Sequence, residues 1–211
     1  GALCLHVEGR VGAMSVQAFP NPMYVRPAME GLRAGQHPVE ILAGLVGPDP
    51  GREMRQLHLL DRGGRGARHT GRECIDWAGD IGGNDVSVAG NMLSGPEVLP
   101  AMCEGYARAA GQTMAQRLMA ALEAGEAAGG DKRGRQSAAI KVCVNDPYPD
   151  VDIRSDDSLD PLAELRRLHQ VSLERYAVYR RHLPSVQSPW GTLDRAIIEA
   201  DIQRHGVANP S

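Results

Sequence analysis

Gly129-Gly130-Asp131-Lys132-Arg133-Gly134-Arg135-Gln136-Ser137-Ala138-Ala139 joins the two halves of this chain. A helical pattern stops at the paired glycines, charged residues cross a corner, and a strand-like apolar run begins. Glycine suits a helix end because the left-handed conformation there costs a residue with a Cβ more. Asp131, Lys132, Arg133 and Arg135 exceed what a helix-to-strand corner requires. The plain reading is a solvated loop fixed by an internal ion pair. The sharper one lets Asp131 and Arg133 hold the amino and carboxylate ends of an amino-acid-like substrate, the arginine in bidentate fashion.

Just upstream, Ser94-Gly95-Pro96-Glu97 reads as a capping box opening a helix to about Ala110. Thr113 with Gln116 opens another to about Ala128, with Met114, Leu118, Ala121, Leu122 and Gly125 on one face. Downstream, strands are expected over Gln136–Val144 and Asp150–Arg154, and Asp160-Pro161 caps a long helix to about Arg181. Nearer the start, two strand-like runs, 2–7 and 11–18, flank a Glu8-Gly9-Arg10 hairpin turn. Asn21-Pro22 opens a helix to about Ala34, and Pro38 opens one to about Val46. A second hairpin covers Arg55–Asp61 and the run through Thr70, Gly71 to Asp85 reads as irregular around Trp77, and Val86–Gly90 as a short buried strand. Beyond Pro184 a linker leads to an amphipathic helix over Thr192–Arg204. A helix that short is marginal alone in water, so it is expected to dock on the domain or on a second subunit.

Strand pairs separated by helix pairs argue for an α+β fold of antiparallel sheets covered by helices, with one domain over 1–183 and an extension over 184–211. A dinucleotide-binding G-x-G-x-x-G after a strand, a P-loop and a G-x-S-x-G elbow are all missing from the sequence.

The chain has 211 residues, 42% hydrophobic and 23% charged, with a formal net charge of -3. That balance, with one Phe and two Trp, gives no electrostatic or stacking basis for nucleic-acid binding. No apolar run approaches the roughly 20 residues of a membrane span. Cys4, Cys74, Cys103 and Cys143 are scattered without a C-x-x-C, which fits a reducing, cytoplasmic setting. The seven histidines have no ligand spacing, so neither metal nor cofactor is expected.

Several blocks taken together resemble a known family. Asn21-Pro22, Asp49-Pro50-Gly51-Arg52-Glu53 with Arg55-Gln56, His69-Thr70-Gly71, Trp77-Ala78-Gly79, Gly90-Asn91 with Leu93, the 128–139 run, and Asp160-Pro161 with Glu164-Leu165 occur in its order. The family is domain-of-unknown-function family 1028, bacterial proteins like the N-terminal-nucleophile (Ntn) hydrolases, and the likeness covers roughly residues 1–170. It implies an Ntn-hydrolase-like four-layer αββα sandwich with two antiparallel sheets, and an amidohydrolase acting on a small linear amide or γ-glutamyl-like compound. The alternative is a non-catalytic binding or assembly protein that keeps the sandwich.

In an Ntn hydrolase the first residue's hydroxyl or thiol attacks and its own α-amino group serves as base. Gly1 has no such side chain, and family members begin some twenty residues earlier with a further strand, so the nucleophile is expected upstream of Gly1. Gly90 and Asn91 could face a developing oxyanion, and His69 could assist proton transfer. Each has a structural alternative, a turn for Gly90-Asn91 and a fixed hydrogen bond for His69. Gln17 and Asn21 join Asp131 and Arg133 as candidate substrate-binding residues. Cys4 and Ser15 are weaker nucleophile candidates, since strand-interior residues of these types more often pack or bond locally. The expected partners are a small-molecule substrate and further copies of the chain, as a homodimer or higher homo-oligomer.

Overall fold

The computed structural model describes residues 3–83 and 85–206. Its elements are β1 (Leu5–Glu8), β2 (Gly12–Ala18), α1 (Val25–Arg33), α2 (Pro38–Val46), β3 (Arg55–Asp61), β4 (Gly66–Thr70), β5 (Gly79–Gly83), β6 (Val86–Gly90), α3 (Val98–Arg108), α4 (Met114–Ala127), β7 (Ala138–Val142), β8 (Val151–Ser155), α5 (Pro161–Glu174), α6 (Tyr176–Tyr179) and α7 (Arg195–His205). The result is a mixed α+β fold with antiparallel sheets. Strands β1-β2-β3-β4 form one four-stranded sheet, and β5-β6 and β7-β8 are separate two-stranded ones.

Register decides what each face of the large sheet does. Ser15 pairs with His58 and Gln17 with Gln56 across β2 and β3, and Gln56 pairs with Thr70 across β3 and β4. Side chains alternate along a strand, so Met14, Val16, Leu57 and Leu59 share the opposite face. Those four are buried with Ala28, Met29 and Leu32 of α1 and Ile41 of α2, forming the first core. The second core joins Ala115 and Met119 of α4, Ile140 and Val142 of β7, and Leu165 of α5. Between the helices α3 and α4, a Cβ on Gly105 would lie 2.5 Å from the Ala120 carbonyl oxygen, so only glycine permits this approach.

The opening stretch behaves as its glycines require. Gly130 N–H donates to the Gly125 carbonyl and Gly129 N–H to that of Glu126, both at 3.0 Å, which is a Schellman closure of α4 with Gly129 at φ +114°. Four expectations need correction. The stretch read as irregular contains β5, whose three glycines mask a strand that pairs residue for residue with β6. The Ser94–Glu97 box does not form: α3 starts at Val98, and Glu97 makes no side-chain cap. Met114 is 45% exposed, while Met119 of the same helix is buried. The long helix after Asp160 is broken at Arg175 (φ -138°, ψ -51°), leaving α5 and α6. The expected first strand begins only at Leu5, and its earliest residue lies outside the described ones. The tail helix docks through Arg175 to Glu199 at 2.5 Å and His182 to Asp201 at 2.9 Å.

Candidate functional site

The inner face of the large sheet is polar at one end, and the β5-β6 hairpin covers it. Gln56, only 1% exposed, is the hub. Its Oε1 accepts from Gln17 Nε2 at 2.7 Å and from Asn91 Nδ2 at 3.1 Å. Its Nε2 lies 3.0 Å from Thr70 Oγ1, 3.0 Å from the Gly79 carbonyl and 2.8 Å from the Gly90 carbonyl. Two N–H bonds serve three acceptors, so one is shared. Thr70 in turn donates to Asp80 Oδ2 at 2.6 Å, and Arg68 Nε donates to Asp80 Oδ1 at 3.2 Å. One row further along, His58 Nδ1 is hydrogen-bonded to Ser87 Oγ at 2.7 Å. Two sheets that share no backbone ladder are thus joined by side chains.

This network brings together Gln17, Gly90 and Asn91 from the sequence candidates. It does not include His69, whose partner across β3 is Leu57 and whose Nε2 bonds the Arg52 carbonyl at 2.8 Å on the opposite face. Asn21 sits beyond the end of β2, where its side chain accepts from Met23 N–H at 3.1 Å and caps a short 3-10 turn. Gln56, Thr70 and Asp80 are the residues that sequence reasoning passed over.

Asp131 is tied to the segment that follows β6 through an isolated bridge to Leu93, three residues beyond Gly90. Its carboxylate is already engaged. Arg133 donates from Nε at 2.9 Å, from Nη2 at 2.6 Å and from its backbone N–H at 2.9 Å. The Arg133 guanidinium holds the Asp131 carboxyl below the usual range. Both residues line a cavity of about 440 Å³ with Glu126, Arg135 and Leu162. Arg135 spans that corner, reaching Glu126 at 3.3 Å and Asp160, the α5 cap, at 3.2 Å. The Asn91 amide turns instead toward Gln56.

A second polar cluster lies at the same end of β3, at Arg55, the strand's first residue and the one before Gln56. Asp49 accepts from the Tyr24 hydroxyl, from Gly51 N–H at 2.7 Å and from Arg55 Nε at 3.1 Å. These bonds, Tyr24's first, hold the Asp49 carboxyl far below its ordinary pKa. Burial, helped by the same bond, pushes Tyr24 up to about 12. A carboxyl depressed by folding stabilises the fold above its unfolded pKa, and the stabilisation is lost as pH falls below about 4. Asp49→Asn is therefore expected to lower stability at neutral pH and to flatten the loss seen on acidification, which urea titrations at neutral and acid pH would read. An unchanged acid limb would contradict the assignment.

Among the described residues, no group of three or more His, Cys, Asp or Glu could hold a metal ion, and no helix is long and apolar enough to cross a membrane. Fold and site together define an α+β protein with a buried side-chain amide hub between its sheets. Residues 1–165 match the family of unknown function DUF1028, and the chain belongs to that family. Protein SPO2555 from Silicibacter pomeroyi, a solved DUF1028 structure, is 33% identical with a TM-score of 0.83, the match covering 92% of this chain and 84% of that one. Among curated proteins, none matches.

Proposed function

We propose that the chain forms a four-layer αββα sandwich of the Ntn type and serves as an amidohydrolase for a small linear amide or γ-glutamyl-like compound. The layering is supported by α1 and α2 on the outer face of the large sheet, β5-β6 against its inner face, and α3 packed on that hairpin. The observation that carries the function is the amide hub. One buried carbonyl oxygen, Gln56 Oε1, fixes the amides of both Gln17 and Asn91. Each of those amides keeps a second N–H and a carbonyl oxygen, the donor and acceptor that a substrate amide needs. A donor fixed before the reaction stabilises a developing oxyanion without reorganising. An Ntn mechanism further requires a hydroxyl or thiol on the residue that bears the free α-amino group.

A second reading, a binding or assembly protein, is favoured by the commitment of the nearest hydroxyls, Thr70 to Asp80 and Ser87 to His58. Trp190, Leu193 and Ile197, at 80%, 85% and 56% exposure, are consistent with contacts to another copy. The test is γ-glutamyl-p-nitroanilide, with binding followed by calorimetry and p-nitroaniline release by absorbance. Binding and release are both expected, and Asn91→Ala should weaken binding about tenfold, the loss of one or two hydrogen bonds. Binding without release would establish the second reading, and absence of binding would remove both small-molecule readings.

A further inference from the structure

The corner cavity of about 440 Å³ beside Asp131 is lined by charges that balance. They are two carboxylates, Glu126 and Asp131, and two guanidiniums, Arg133 and Arg135. Each ion pair leaves groups unused. Arg133 donates to the Asp131 carboxylate through Nε and Nη2, so the N–H groups of Nη1 have no protein partner among the described residues. Glu126 gives Oε1 to Arg135 at 3.3 Å, and its Oε2 is likewise without a partner there. Large apolar side chains share the lining, Val98 and Met102 from α3, Leu122 from α4 and Leu162 from α5. The volume falls within the roughly 300–1,000 Å³ of small-molecule sites.

We propose that this cavity binds a free α-amino acid with an aliphatic side chain, its carboxylate on Arg133 Nη1, its ammonium on Glu126 Oε2 and its side chain among Val98, Met102, Leu122 and Leu162. A lining without net charge has no surplus for a simple anion or cation. A carboxylate alone would meet Glu126 and Asp131 as well as the arginines, and an amine alone would meet both guanidiniums. A zwitterion brings both signs, so it adds charge-assisted hydrogen bonds without breaking either internal pair. Asp131 is then a positioning residue, whose two oxygens hold the guanidinium that meets the ligand. It is not the ammonium partner that the sequence suggested, because its carboxylate already accepts three hydrogen bonds. The apolar wall favours leucine or methionine over glutamate, since a charged side chain there would lose water without gaining a partner. The inference is independent of the amidohydrolase reading, because it uses none of the amide-hub residues.

The experiment titrates the intact chain with L-leucine by calorimetry and follows the Val, Leu and Met methyl signals by NMR. Saturation is expected below about 10 mM, with shifts at the methyls of Val98, Met102, Leu122 and Leu162. Isocaproate, which lacks the amine, and isoamylamine, which lacks the carboxylate, should each bind about tenfold or more weakly than leucine. Glycine, with no side chain to bury, should be weakened by a similar factor of about ten. Glu126→Gln should shrink the preference for leucine over isocaproate, and Arg133→Gln the preference over isoamylamine, with circular dichroism unchanged in both. Asn91→Ala should bind leucine as the wild-type chain does, so a failure at the amide hub and a failure here are read separately. The proposal is overturned if leucine does not bind, if glycine or either singly charged analogue matches it, if the shifted methyls lie elsewhere, or if neither variant alters the preference.

Discussion

Gln56→Leu is expected to lower the free energy of unfolding by about 3 kcal/mol and the melting temperature by about 6–12 °C. Leucine is close to glutamine in size, so little of that loss is a cavity. What disappears is an acceptor for Gln17 and Asn91 and a donor pair aimed at Thr70 and the carbonyls of Gly79 and Gly90. A buried polar group stranded without a partner costs about 1–3 kcal/mol. The total stays below the sum because Gln17 is only half-buried and can turn to water, and Thr70 keeps Asp80. Gly79 and Gly90 are a ladder pair of the β5-β6 hairpin, so the substitution loosens that hairpin from the large sheet as well as the core beneath it. Urea unfolding measures the difference directly. A loss under about 1 kcal/mol would mean that apolar packing, with no help from the hub, holds the sheets together.

Much of the architecture is written in local chemistry. The Thr113–Gln116 capping box, Pro38 and Asn21-Pro22 at helix starts, and the glycine pair after α4 each fix a boundary by hydrogen bonds within a few residues. The elements missed are those settled by distant partners. β5 has almost no strand propensity of its own and is held by β6. The hub was illegible for a related reason. Along β3 the alternation of Gln56 and His58 with Leu57 and Leu59 has the form of a sheet with one wet face, as antiparallel sheets commonly have. Here the polar face is covered by a second hairpin, with Gln56 buried, Gln17, His58 and Thr70 half-buried, and all four paired. A buried glutamine and an exposed one look alike in a sequence. The sequence did hold one cue, polar residues at corresponding positions on β2, β3 and β4, but only the register reveals that they meet.

The same burial acts on His58, and it predicts a pH dependence nearly as large as the hub substitution. Desolvation between the sheets pushes its pKa down from 6.5 to about 4, with the Arg68 charge adding to the shift and Asp80 opposing it. The unfolded chain therefore takes up a proton at pH 6.5 that the folded chain refuses until about pH 4. Stability is complete above the unfolded value and falls as pH drops through that window, by about 3 kcal/mol at 1.36 kcal/mol per unit. Asp49 does not confuse the measurement, since its loss begins only below about pH 4. In His58→Gln the decline between pH 7 and 4 should shrink by about that amount, and in the wild-type chain the His58 ring signals in NMR should stay flat from pH 7 to 5. Titration near 6.5 would show that water reaches the inner face. The ring would then be solvated in the folded chain, and the hydrogen bond to Ser87 would have to compete with water.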